Sequence, residues 1–177
     1  MMLSGEFGNA TLCTLKAPFL KPGTLVLEAI FVVSCPAPRY LQLPRYIPQA
    51  TIRVVVDTTH KNLSDVLKQE RINAVVETIK KRVAHEVAKH ARGEITAMAN
   101  HATKIAEDQL GPIVDSARRD IENEQIDELE RLQALAAVNP NIRTEEIEYR
   151  KSFAAELLAH IEHTQLKLDA VRVGLAT

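Results

Sequence analysis

Aromatic residues are scarce in this chain: no Trp, three Tyr and four Phe in 177 positions. A core made from it must be aliphatic, and the stacking platforms that hold unpaired nucleobases have little to be built from. Cysteine is nearly absent too. Cys13 and Cys35 are too few for a disulfide framework, which points to a reducing, cytoplasmic setting. No basic stretch leads into an apolar run at Met1-Met2-Leu3-Ser4-Gly5-Glu6, so nothing there reads as a secretory signal. The longest apolar run, Ala29 to Cys35, falls far short of the ~20 residues of a membrane span, and no membrane partner is expected. A net charge of −1 removes any whole-chain pull toward DNA or acidic lipid.

The signatures of self-sufficient chemistry are missing as well. There is no G-x-x-x-x-G-K-S/T or G-x-G-x-x-G phosphate cradle, no G-x-S-x-G elbow, and neither cysteine sits in a nucleophile motif. His85-Glu86 followed by His90 is one residue too long for the zinc-protease pattern. Five residues at ~3.6 per turn set the two imidazoles about 140° apart, so solvated helix histidines are the plainer reading. His160 and His163 share a face but lack a third ligand nearby. The carboxylates between Asp120 and Glu130 crowd one helix with no concave wall implied, which suits a solvated face better than acid–base catalysis. No cofactor or metal is expected on this chain.

What is present changes character near residue 60. Of eight prolines, six precede it (Pro18, Pro22, Pro36, Pro38, Pro44, Pro48), which argues for strands and turns in the first third. Thr11 to Lys16 alternates weakly. Lys21-Pro22-Gly23-Thr24 has the chemistry of a type II turn, because Pro presets φ and Gly accepts a positive one. Thr24 to Cys35 reads as a central strand, apolar enough to be covered on both faces. Leu41 to Leu43 offers a further short strand, and Thr51 to Asp57 another. So small a sheet needs a helical cover to be stable.

From Leu63 the apolar period lengthens to that of a helix. Ser64 is placed to cap it, and Ile72, Val75, Val76, Ile79, Val83 and Val87 form its stripe. A second stripe runs from Ile95 to Leu135. Uninterrupted, Ser64 to Val138 would span roughly 110 Å at ~1.5 Å per residue, so breaks are expected at Gly93 and a kink or break at Gly111-Pro112. Asn139-Pro140-Asn141 ends the run. Thr144, with Glu145 and Glu146 in the first turn, starts a returning helix whose apolar face continues through Leu157, Ile161, Leu168 and Val171. The two helices are expected to pack as an antiparallel hairpin. Val171 to Leu175 reads equally well as helix end or as strand.

Charge is distributed unevenly along this arm. Lys80, Lys81, Arg82, Lys89 and Arg92 form a basic cluster relieved only by Glu86, while Asp120 to Glu130 carries carboxylates alone. The basic cluster is the candidate contact site for nucleic acid or an acidic protein; the alternative is a solvated or self-paired helix face.

Two stretches carry a family likeness. Leu129-Glu130-Arg131-Leu132-Gln133-Ala134-Leu135-Ala136-Ala137-Val138-Asn139-Pro140-Asn141-Ile142-Arg143 resembles the helix end and turn near the C-terminus of the RapA (HepA) family, bacterial RNA polymerase-associated ATPases of the Swi2/Snf2 class. Leu27 to Val33, Leu41 to Leu43 and Ile52 to Asp57 resemble the strand-rich region before it, and Leu168 to Val173 matches in order. The resemblance covers essentially the whole chain. It implies a C-terminal accessory domain of an RNA polymerase recycling factor, with RNA polymerase and the upstream ATPase lobes as partners. ATP and Mg would belong to those missing lobes, and no catalytic residue carries over.

The expected fold is therefore α+β: a small antiparallel sheet in the first third, then a long kinked helix and a returning helix. Residues 1–60 form the strand-rich segment, a sheet open to completion by upstream residues, and 61–177 the helical arm. A stand-alone nucleic-acid-binding protein using residues 80–92 is the alternative.

Overall fold

A computed structural model describes residues 2–5, 8–18, 20–47 and 50–177; Pro48 lies outside them. The fold is α+β, as expected, with a sheet, a long helix and a returning helix. The chain divides into two compact units, Met1–Val32 with Thr51–Gln109 and Leu166–Thr177, and Val33–Ala50 with Leu110–Gln165.

The first unit is built on strands β1 (Met2–Gly5), β2 (Gly8–Leu15), β3 (Leu25–Ser34), β4 (Thr51–Asp57), β5 (Val76–Thr78) and β6 (Gln165–Ala176). Their order is β1-β2-β6-β3-β4, with β5 also pairing with β2. Strand β6 runs parallel to β2 from Asn9↔Ala170 to Leu15↔Ala176. The other edge of β2 is shared by β1, opposite Gly8–Thr11, and β5, opposite Cys13–Leu15. The residues left open between helix and strand thus form a strand, and Leu168 and Val171 belong to it and not to the returning helix. Alternation from Gln165 onward suits a pleated strand, and burial between β2 and β3 outweighs continuation of the helical stripe.

The Lys21–Thr24 turn forms as expected: Gly23 has φ +89°, and the Thr24 amide donates to Lys21 O at 3.0 Å. Gly23 and Thr24 also bond the backbone of Ala176, tying β6 to the start of β3. One sheet face buries Cys13, Leu15, Val26 and Val55 against Leu63, Leu67 and Ile72. The alternate residues Leu27, Ala29, Phe31, Val54 and Val56 face the other side and are buried too.

Three expectations for residues 41–90 are corrected. Leu41 to Leu43 is not a strand: Arg39–Leu41 and Leu43–Arg45 are single 3-10 turns about Gln42 in the left-handed region, with Leu41 and Leu43 both buried. Pro44 supplies no strand donor and presets a helical φ. Ser64 caps no helix. Its hydroxyl accepts from the Val55 amide at 3.0 Å, and Leu63 N–H bonds Val55 O at 2.7 Å, so the segment closes the open edge of β4. The expected single helix is instead α1 (Gln69–Val75), then β5, then α2 (Lys81–His90). The β-branched run Val75-Val76 to Thr78-Ile79 finds a vacant edge on β2, and pairing there wins over helical periodicity.

Helix α3 (Arg92–Val138, 47 residues) passes through Gly93, Gly111 and Pro112 without interruption. The break before it falls at Ala91, not Gly93. Pro112 forfeits one bond, to the Asp108 carbonyl, and buried alanines flank it at Ala102, Ala106 and Ala117. In the second unit α4 (Thr144–Ile161) returns along α3, with Arg118 paired to Glu162 just past its end. Asn139 Oδ1 accepts from the Asn141 amide at 3.0 Å, making the reversal an Asx turn. The helix starts at Thr144 as expected; its N-cap position is Arg143, whose amide donates to Glu146. Ile121, Leu157 and Ile161 are fully buried here. Tyr46 donates to Glu124 at 2.9 Å and Arg45 pairs with the same carboxylate at 3.1 Å. Burial first, and that carboxylate second, push the Tyr46 phenol above its ordinary pKa.

Candidate interaction surface

Helix α2 carries cations where a helix normally repels them. Its first turn has no acidic residue, Lys80 occupies the N-cap position, and Lys81 and Arg82 open the helix. The positive end of the helix dipole disfavours each by some 0.3–1 kcal/mol. Such local conflict is expected where a surface serves a purpose other than folding.

The helix period then sorts the predicted residues. Arg82, His85 and Lys89 stand at i, i+3 and i+7, on one stripe. Lys80, Arg82, Lys89 and Arg92 are all exposed. Among the described residues no ion pair includes any of them. The Lys81 side chain lies outside the described residues. Glu86, the only carboxylate on the helix, is 3.8 Å from a His90 ring nitrogen, and His90 Nδ1 is 2.8 Å from Glu86 O. Among the described residues no group of three or more His, Cys, Asp or Glu could hold a metal ion.

The opposite face of α2 turns toward β2. Ala84 is buried and Val87 half-buried. Beneath them the parallel β2–β6 register sets Ala10 beside Val171 and Leu12 beside Val173 on one sheet face. A cleft of about 690 Å³ lies between, floored by these residues with Ala84, Ala88 and Ile95, and edged by Thr11, Arg82, His85 and Glu86. Arg82 and His85 of the stripe, with Glu86 beside them, thus form one wall of an apolar cleft. Nothing local in the sequence could show this, because the floor joins strands some 160 residues apart.

A second feature missed at sequence level lies on the other sheet face. Glu28, in the middle of an apolar strand, is 4% exposed. Its carboxylate accepts from Arg53 Nε at 2.6 Å and lies 3.3 Å from Arg172 Nε. Arg53 also donates to Leu67 O at 2.6 Å, and Arg172 to Asn73 at 2.9 Å. Strands β6, β3 and β4 and helix α1 are joined through one buried charge. The lone carboxylate in Leu25–Ser34 was the available signal.

No helix of the described residues is long and apolar enough to cross a membrane. Fold and surface together define an α+β module that presents a basic ridge beside an apolar cleft. Residues 1–176 match the family described as RNA polymerase recycling family C-terminal, and the chain belongs to that family. RNA polymerase-associated protein RapA of Sodalis glossinidius is 34% identical over 177 residues, which are 100% of this chain and 18% of that protein. The RapA proteins of Serratia proteamaculans and Yersinia enterocolitica are 30% and 31% identical over the same 177 residues. The chain spans 18% of the length of each of these relatives.

Proposed function

We propose that this chain is the C-terminal accessory domain of a RapA-like, ATP-dependent RNA polymerase recycling factor, working by contact and not by chemistry. The carrying observation is the match of residues 1–176 to the family's C-terminal domain, together with RapA relatives aligned over the entire chain. In this reading ATP and Mg are bound by ATPase lobes of the Swi2/Snf2 class upstream, and the domain packs on those lobes or touches polymerase and nucleic acid. It acts in the bacterial cytoplasm, at the nucleoid through RNA polymerase. The purified chain should be retained by immobilised RNA polymerase, or by the upstream lobes supplied in trans, and should not turn over ATP. ATP hydrolysis that co-purifies with the chain and survives further fractionation would overturn it.

One observation favours a second reading, a nucleic-acid-binding protein in its own right: the exposed cations of the α2 ridge have no carboxylate partners among the described residues. Four phosphate contacts would give a log–log salt slope of about −3 to −4. Replacing Lys80, Lys81 and Arg82 by Ala should flatten it by about 0.9 per cation that contacts phosphate. Binding to duplex DNA that is unchanged in that triple variant would exclude the ridge.

A further inference from the structure

We infer that the cleft between α2 and the β2–β6 face is a docking site for an acidic protein segment that inserts apolar side chains. This rests on the reading above only in taking the domain to work by contact, and goes beyond it in naming the chemistry of the partner.

The floor sets the apolar half of the requirement. Ala10, Leu12, Ala84, Ala88, Ile95 and Val171 offer aliphatic surface and no side-chain hydrogen-bonding group. Water needs two to four polar partners and finds few there, whereas apolar side chains lose nothing on entry. On this floor a small polar ligand would meet no side-chain donor or acceptor, and a nucleobase no Phe, Tyr or Trp ring. The wall sets the charge. Arg82, His85 and Glu86 edge the cleft, and the exposed cations Lys80, Lys89 and Arg92 outnumber that one carboxylate along the same ridge. The positive end of the α2 dipole adds to them. A phosphate backbone would satisfy this wall but leave the floor empty. A segment that is apolar on one side and acidic on the other satisfies both along the whole ridge, where a fatty-acid carboxylate would meet a single cation; this is the helix-in-groove mode of recognition.

The test uses the whole 177-residue chain and a fluorescein-labelled helical peptide with leucines at i, i+3, i+4 and i+7 and glutamates between, read by anisotropy. Control probes are the same peptide with serine for leucine, dodecanoate, and a DNA duplex. Ala88→Phe fills the cleft from an exposed helix position, and Arg82→Glu reverses its wall. The leucine peptide should bind, each variant should weaken it about tenfold or more, and the serine peptide should not bind. The inference fails if the leucine peptide does not bind, or if the serine peptide binds as well. Indifference to both variants also overturns it. Dodecanoate binding without peptide binding would make the cleft a small-molecule site, and duplex binding alone would make the ridge a phosphate site; either overturns the inference. Because RNA polymerase is absent from this experiment, its failure is separable from failure of the polymerase contact.

Discussion

Gly174 lies on β6 opposite Cys13, and a Cβ there would sit 2.2 Å from Leu15 Cδ1 and 2.5 Å from Leu15 Cγ. Carbon atoms in good contact are about 3.5–4.0 Å apart, so Gly174→Ala demands a shift of more than about 1 Å. Leu15 cannot easily yield. It is 2% exposed and packed among Cys13, Val26, Val55, Leu63, Leu67 and Ile72. Overpacking of this kind costs about 1–3 kcal/mol, offset by the roughly 0.5–1 kcal/mol that Ala gains over Gly within a strand. The net expectation is about 1–2 kcal/mol of destabilisation, which would lower the urea midpoint, followed by circular dichroism, by roughly half to one molar. Leu15→Ala alone should cost about 2–5 kcal/mol as a cavity. In the double variant the overlap disappears, so the pair should be more stable than the sum by about 1–2 kcal/mol. A Gly174→Ala protein at or above wild-type stability, or a cycle additive within about 0.5 kcal/mol, would refute the packing described for this strand pair.

Glu28→Ala should cost about 2–4 kcal/mol in the same assay, because it strands two guanidiniums; the figure sits low in the usual range since Arg172 is 31% exposed. Glu28→Gln keeps an acceptor and should cost clearly less; equal losses would mean the charge is immaterial. Asp57 opposes burial, which raises its pKa, with bonds from the Thr59 hydroxyl and the Lys61 and Thr59 amides, and the balance leaves the carboxyl below its ordinary value. A native pKa below the unfolded one, about 3.9, adds stability above that pH and loses it as pH falls through the native value. Asp57→Asn should therefore flatten the acid limb of the stability profile below about pH 4, and an unchanged limb would contradict the assignment. Tyr46→Phe removes the bond to Glu124 and should cost about 0.5–1.5 kcal/mol. In the wild type Tyr46 should ionise above the ordinary phenol range in an ultraviolet titration, and Glu124→Gln should lower it part of the way, the rise from burial remaining.

What was legible in the chain was whatever its neighbours decide. Pro22-Gly23 dictates its turn, the apolar runs of β3 and β4 dictate strands, and Asn139 to Arg143 dictates the reversal before α4. The long-range pairings were not legible. Val76 to Thr78 follows a helical stripe and becomes a strand only because β2 offers an edge. Ser64 looks like a helix cap until β4 needs an acceptor. Of the candidate surface, the cations could be found because they are contiguous. Its floor could not, since Ala10 and Val171 become neighbours only when β2 and β6 pair in parallel.

That pairing also sets when the domain can fold. The strand between β2 and β3 is the last one made, so ribosomal synthesis exposes β2 and β3 long before the element that joins them exists. A nascent chain ending before Gln165 has two half-sheets with open apolar edges and no way to unite them. Contacts of such sequence separation are slow to form, and domains finish as units. Folding of this sheet therefore waits until β6 has left the ribosome and can slide in between β2 and β3.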